Sequence, residues 1–120
     1  MGLITLYGLE KCDTCAKARK WLGRFGVEHR FVDYKANPVT GDTLKGWAKA
    51  LGWDKLVNRS GTTWRNLPEA RKQPASDAEY VLLVRDHPSL VRRPVVVMPD
   101  GEVFTGFSDA LYKQKFGAPS

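Results

Sequence analysis

The sequence predicts an α/β protein with a mixed sheet, in the order β-α-β, a helical insert, then β-β-α. Two observations carry most of this. Near the start, a β-rich run hands over to apolar residues at helical spacing and then to a second β-rich run. Near the end, Pro99-Asp100-Gly101 separates two short apolar runs as a hairpin turn would. The first pair of strands is therefore expected to be parallel and the last pair antiparallel.

Leu3–Tyr7 reads as the first strand because it is rich in β-branched and aromatic residues. Gly8–Lys11 reads as a turn. Ala16, Ala18, Trp21, Leu22 and Phe25 then repeat at helical spacing, and Gly26 suits the position just past a helix end. Val27–Asp33 reads as the second strand. Residues 37–42 read as a turn, and Thr43–Leu51 as a helix with Leu44, Trp47, Ala48 and Leu51 on one side, ended by Gly52. Trp53–Val57 adds a short turn, and residues 58–65 form a loop entering another short helix that Pro74 stops. Ser76 with Glu79 three residues later has the form of a capping box, opening a helix over Asp77–Asp86. Pro94–Met98 and Glu102–Thr105 form the hairpin, Ser108 opens a last helix over Asp109–Phe116, and residues 117–120 are expected to fray.

A chain of 120 residues is expected to make a single domain over 1–120, with the helical insert at about 40–86. Its 42% hydrophobic and 27% charged residues are ordinary for a globular core and exclude a disordered chain. The apolar runs Val81–Val84 and Val95–Met98 are far shorter than the ~20 residues of a membrane span. Met1 leads almost at once into a strand, which leaves no room for a signal peptide, and Leu6 stands where myristoylation wants Ser or Thr. A cytoplasmic location is expected. The net charge of +6 suits anionic small molecules, nucleic acid or acidic protein surfaces, and charge alone favours solubility. With no helix-turn-helix or finger pattern, direct nucleic-acid binding is not expected.

Both cysteines of the chain lie in Cys12-Asp13-Thr14-Cys15, where the first strand gives way to the first helix. A sulfur at a helix start faces unpaired N–H groups, which stabilise the reactive thiolate. Cys15, one turn on, is placed to close a disulfide with it. The spacing therefore reads as a redox pair. Half of a zinc site shared between two chains, or two inert buried cysteines, are the alternatives; His29 and His87 have no ligand spacing, so no metal is expected within one chain. Pro94 is unusual at a strand start because it removes a ladder hydrogen bond. A plain trans proline and a cis turn are both compatible with it.

The run Ile4–Gly8 followed by Cys12-Asp13-Thr14-Cys15, the loop Arg59–Arg65 and the segment Pro88–Val95 together resemble the arsenate reductase (ArsC)-like family, in its YffB-like branch related to Spx and MgsR. The resemblance covers roughly residues 3–116. It implies a thioredoxin-like fold and a cis peptide before Pro94, close to the Cys12 sulfur. It places Cys12 on the nucleophile and Arg59 and Arg93 in an oxyanion pocket; Cys15, by its spacing from Cys12, is the second catalytic thiol. Thr14, Arg65 and Pro94 are the further candidates for binding substrate or thiol. Arg92 is expected to point away from Arg93 by strand alternation. The sequence departs from the reductase signature: Leu9-Glu10-Lys11 stands where an Asn-Pro pair usually precedes the nucleophile, and Ala16-Lys17 where an arginine follows it. This argues against arsenate as the substrate.

What the resemblance implies is a thiol-dependent oxidoreductase with no bound cofactor, using glutathione as co-substrate. Glutathione or a thioredoxin-type protein would be the reductant, and a small anionic or disulfide compound the substrate. The alternative is a Spx-like redox-sensing regulator that binds RNA polymerase.

Overall fold

The computed structural model describes residues 3–117. The expectations on Met1 and Gly2, and on fraying at 118–120, lie outside the described residues. Among the described residues no helix is long and apolar enough to cross a membrane.

Four strands form one mixed sheet in the order β2-β1-β3-β4. They are β1 (Ile4–Gly8), β2 (His29–Asp33), β3 (Val95–Val97) and β4 (Val103–Thr105). β1 runs parallel to β2 and antiparallel to β3, and β3 and β4 are antiparallel. Helix α1 (Asp13–Arg24) crosses between β1 and β2. The insert between β2 and β3 contains α2 (Gly41–Leu51), α3 (Trp53–Leu56), α4 (Thr62–Arg65) and α5 (Asp77–Asp86), with 3-10 turns at Glu69–Lys72 and Pro88–Leu90. Helix α6 (Asp109–Phe116) closes the chain. This is a thioredoxin-like α/β architecture.

Strand alternation sends successive side chains to opposite faces. Ile4, Leu6 and Val96 pack with Trp21, Leu22, Phe104 and Tyr112 beneath α1 and α6. Tyr7, Val95 and Val97 face the other way, into the insert, where Leu44, Trp47, Leu56, Trp64 and Leu83 are buried. The sheet is thus covered on both sides, and the insert supplies one of the two apolar layers.

Where boundaries differ from the sequence reading, hydrogen bonds outside the ladder explain it. β2 starts at His29 rather than Val27, because Val27 N–H bonds to Leu22 O at 2.8 Å and Gly26 N–H to Gly23 O at 3.2 Å. These two bonds close the C-terminus of α1, with Gly26 at φ +69°, a conformation that glycine adopts freely. α2 starts at Gly41 because Thr40, not Asp42, caps it: the Thr40 hydroxyl accepts from Thr43 N–H at 3.1 Å. Ser76 caps α5 by accepting from Glu79 N–H at 3.2 Å. The Glu79 carboxylate reaches one residue further back than a capping box requires and accepts from Ala75 N–H at 2.6 Å.

Candidate active site at the start of the first helix

Cys12 is the N-cap of α1, at φ −93° and ψ 124°. The N–H groups of Cys15 and Thr14 face its sulfur, as the first turn of a helix provides. Burial alone would raise its thiol. The Cys15 N–H, the Cys15 thiol, the positive charge of Arg93 and the Thr14 N–H outweigh burial and hold Cys12 below the usual range. Cys12 is half-buried, so its thiolate is both favoured and reachable.

Cys15 is the opposite case. It is 1% exposed. Burial first, and then the neighbouring Cys12, push its thiol up to about 11, against the Leu9 N–H that favours the thiolate. Both cysteines are free thiols in this structure. The backbone of Gly8 approaches the Cys15 sulfur so closely that a Cβ there would lie 2.4 Å from it.

A cavity of about 290 Å3 opens beside Cys12 and is also lined by Thr14, Asn58, Val91, Arg92, Arg93, Thr105 and Gly106. The insert reaches this wall through a short antiparallel bridge, Val57 with Val91. Asn58 N–H donates to Leu90 O and Arg92 N–H to Leu56 O, both at 2.8 Å. On the far side, Gly106 N–H donates to Pro94 O at 2.9 Å. The Arg93–Pro94 peptide is cis, as the resemblance implied.

Arg93 is the cation of the site. It donates to Ser89 O at 3.2 Å and also interacts with the Tyr34 hydroxyl and the Cys12 sulfur. Tyr34 is 4% exposed and its hydroxyl donates to Val91 O at 3.1 Å. Burial pushes that hydroxyl up to about 12, so it stays protonated. Arg93→Gln is therefore expected to move the Cys12 titration to higher pH. The charge that favours the thiolate is lost while burial, which opposes it, remains. Alkylation by iodoacetamide, followed against pH, should become slower at neutral pH with an alkaline-shifted profile, and Arg93→Lys should restore part of the effect. An unchanged profile would remove Arg93 from the site.

The structure does not bring every candidate to this cavity. Arg59 was expected in an oxyanion pocket. Its guanidinium instead pairs with Asp54 at 2.9 Å, donates to the Tyr80 hydroxyl and lies over the Trp64 ring, 5.4 Å from its centroid. The cause is local: Asn58 Oδ1 accepts from the N–H and hydroxyl of Ser60, tightening the turn and sending Arg59 toward α5. Arg65, exposed in the last turn of α4, is not among the cavity's lining residues either. Thr14 and Arg93 are; Pro94 is buried and is not among the lining residues.

Arg92 was expected to point away from Arg93; it is exposed and borders the same cavity. β3 begins at Val95, so strand alternation does not extend to residues 92 and 93. Asn58, Thr105, Gly106 and Tyr34 were also missed. Only the apolar pair Val57 and Val91 hinted at a bridge, and two isolated valines do not specify a pairing. Among the described residues, no group of three His, Cys, Asp or Glu side chains is placed to hold a metal ion.

The ArsC family matches the chain over residues 7–115. An uncharacterized protein of Haemophilus influenzae is 36% identical over 114 residues, covering 95% of this chain and 99% of that one. A solved protein called YFFB is 38% identical, superposes with a TM-score of 0.85 and covers 92% of this chain and 96% of its own. An arsenate reductase (ArsC) related protein from Brucella melitensis is 39% identical, with a TM-score of 0.76, covering 97% of this chain and 96% of its own. Similarity to the Spx global transcriptional regulators is weaker, 26% over 98 residues for that of Bacillus subtilis, covering 79% of this chain and 73% of the regulator. A sheet covered on both faces, a cysteine capping the first helix and a cis proline across from it agree with these matches over almost the whole chain: it belongs to the ArsC family, alongside its YffB-like members.

Proposed function

We propose that the chain is a thiol–disulfide oxidoreductase in which Cys12 is the nucleophile and Cys15 the resolving thiol. The observation that carries this reading is the opposite bias of the two sulfurs at one helix start: Cys12 is held low beside Arg93, and Cys15 is held high by burial. A nucleophile must be ionised and a resolving thiol must keep its proton until needed.

The Cys12 thiolate attacks one sulfur of a mixed disulfide between a substrate thiol and glutathione. A Cys12–glutathione bond forms, the original S–S bond breaks, and the substrate leaves as a thiolate that takes a proton from water. Once Cys12 is bonded, its sulfur no longer carries the charge that opposes ionisation of Cys15. Cys15 then loses its proton and attacks the Cys12 sulfur. Glutathione leaves, and a Cys12–Cys15 disulfide remains. Two further glutathione thiols, or one thioredoxin-type dithiol, reduce it. In this reading Arg93, with Arg92 at the rim, holds a glutathione carboxylate by charge-assisted hydrogen bonds, and Thr14 adds an N–H or hydroxyl donor. Arg59 and Arg65 stand outside the cavity and have no assigned step. An arsenic oxyanion is the lesser candidate, because the pairing of Arg59 with Asp54 leaves fewer cations at Cys12. The setting for this chemistry is the cytoplasm, where glutathione keeps thiols reduced.

Intact mass after mild oxidation and exposure to oxidised glutathione tests the proposal. The native chain is expected to lose two hydrogens and carry no adduct, while Cys15→Ser traps one glutathione on Cys12. If neither cysteine reacts, the two thiols are structural and the proposal fails.

A second reading has the Spx similarity in its favour: a redox-sensing regulator that binds RNA polymerase. It predicts one oxidation per chain without turnover under excess disulfide and glutathione. Sustained turnover would exclude it.

A further inference from the structure

A second cavity, of about 270 Å3, lies between α2, α5 and the chain leading to Arg93. Leu44, Trp47 and Val84 form its apolar walls, and Tyr34 and Val91 line it as well. Val91 lines both spaces. The Tyr34 hydroxyl is already used by Val91 O, so it does not demand a polar ligand. Trp47 is held by Tyr7 in an edge contact at 4.8 Å between ring centroids, which leaves a fixed aromatic wall.

One charge stands at this cavity. Arg85 lines it, is exposed, and makes no ion pair or side-chain hydrogen bond among the described residues. The neighbouring carboxylate, Asp86, is taken by Arg71 at 2.9 Å. A lone guanidinium beside an apolar hollow matches a ligand with one negative charge and a hydrocarbon body. A carboxylate fits the fork of an arginine in two parallel hydrogen bonds. A doubly charged phosphate would ask for further cations, and no other lysine or arginine lines the cavity. The volume lies at the lower end for small-molecule sites, which selects a small body.

We propose that this cavity is a binding site for a small monocarboxylate with an aromatic or branched hydrocarbon body, with the body against Trp47, Leu44 and Val84 and the carboxylate on Arg85. The site is separate from the Cys12 cavity and does not depend on the thiol chemistry. Its shared wall is Val91, two residues before Arg93 in the chain.

The test is titration of the reduced, isotope-labelled chain with 3-phenylpropanoate and with its neutral amide, 3-phenylpropanamide, followed by amide and indole NMR shifts. The carboxylate is expected to saturate, with shifts centred on Tyr34, Leu44, Trp47, Val84 and Arg85, and to bind more tightly than the amide. Arg85→Gln, at an exposed position that leaves the fold intact, should weaken the carboxylate roughly tenfold and leave the amide unchanged. Absence of saturation overturns the proposal. So does equal affinity for carboxylate and amide, an Arg85→Gln chain that binds the carboxylate as before, or shifts centred instead on Asn58 and Thr105.

Discussion

Cys12→Ser is expected to abolish reduction of a glutathione mixed disulfide, by more than about a thousandfold, with no adduct formed on Cys15. The hydroxyl that replaces the thiol does not ionise at neutral pH, so the N–H groups of Thr14 and Cys15 and the charge of Arg93 have no anion to stabilise. Cys15 cannot take over. It is buried and its thiol is pushed up to about 11, so almost none is thiolate at neutral pH. Cys15→Ser should behave differently. It keeps the first attack and stops at the Cys12–glutathione adduct, which then turns over only by direct attack of free glutathione. Comparing single-turnover and steady-state rates of the two variants separates the roles. If Cys12→Ser retains turnover, or if the two variants lose equal activity in the first step, the assignment of nucleophile and resolving thiol is wrong.

Gly8→Ala should be the most damaging small substitution near the site. The new Cβ would meet the Cys15 sulfur at 2.4 Å and the Phe31 ring at 3.4 Å. The backbone cannot retreat, because Gly8 pairs with Asp33 in the β1–β2 ladder and its carbonyl accepts from Tyr34 N–H at 3.0 Å. The sulfur must rotate instead, inside a packed interior. Overpacking of this kind costs about 1–3 kcal/mol. It should also disable resolution, so that the Cys12–glutathione adduct accumulates although Cys15 is still present. Chemical denaturation and intact mass read the two effects separately. The double variant Gly8→Ala/Cys15→Ala should recover most of the lost stability, because the Cys15 Cβ lies at an ordinary 3.6 Å from the added methyl. Additive losses would mean that the close approach is not the cause.

Features that depend on a few neighbouring residues were legible in the sequence. The caps Ser76 and Ser108, the Gly26 stop and the Pro99-Asp100-Gly101 turn each act through hydrogen bonds or dihedral preferences within one turn of chain. Strand order within the first and last units followed from them. The cysteine pair at the start of α1 was legible for the same reason: the helix supplies its own N–H groups to Cys12, wherever the rest of the chain goes.

What only the tertiary structure decided is the company those cysteines keep. Arg59 and Arg93 looked equivalent as cations near the site. Asp54 and Tyr80 draw one away, while Ser89 O accepts from the other, whose charge acts on Cys12. Arg92 lies before β3, where strand alternation does not apply, and is exposed at the border of the Cys12 cavity. Gly8 read as a turn residue, yet it ends β1 and leaves room for Cys15. The amino-acid sequence by itself determined the helices, the turns and the cysteine at the start of α1, because these rest on contacts within a few residues. The Val57–Val91 bridge, the direction of each arginine and the apolar hollow beside Arg85 were decided by the fold. They arise where distant segments meet, and there each side chain turns toward the partners that remain unpaired.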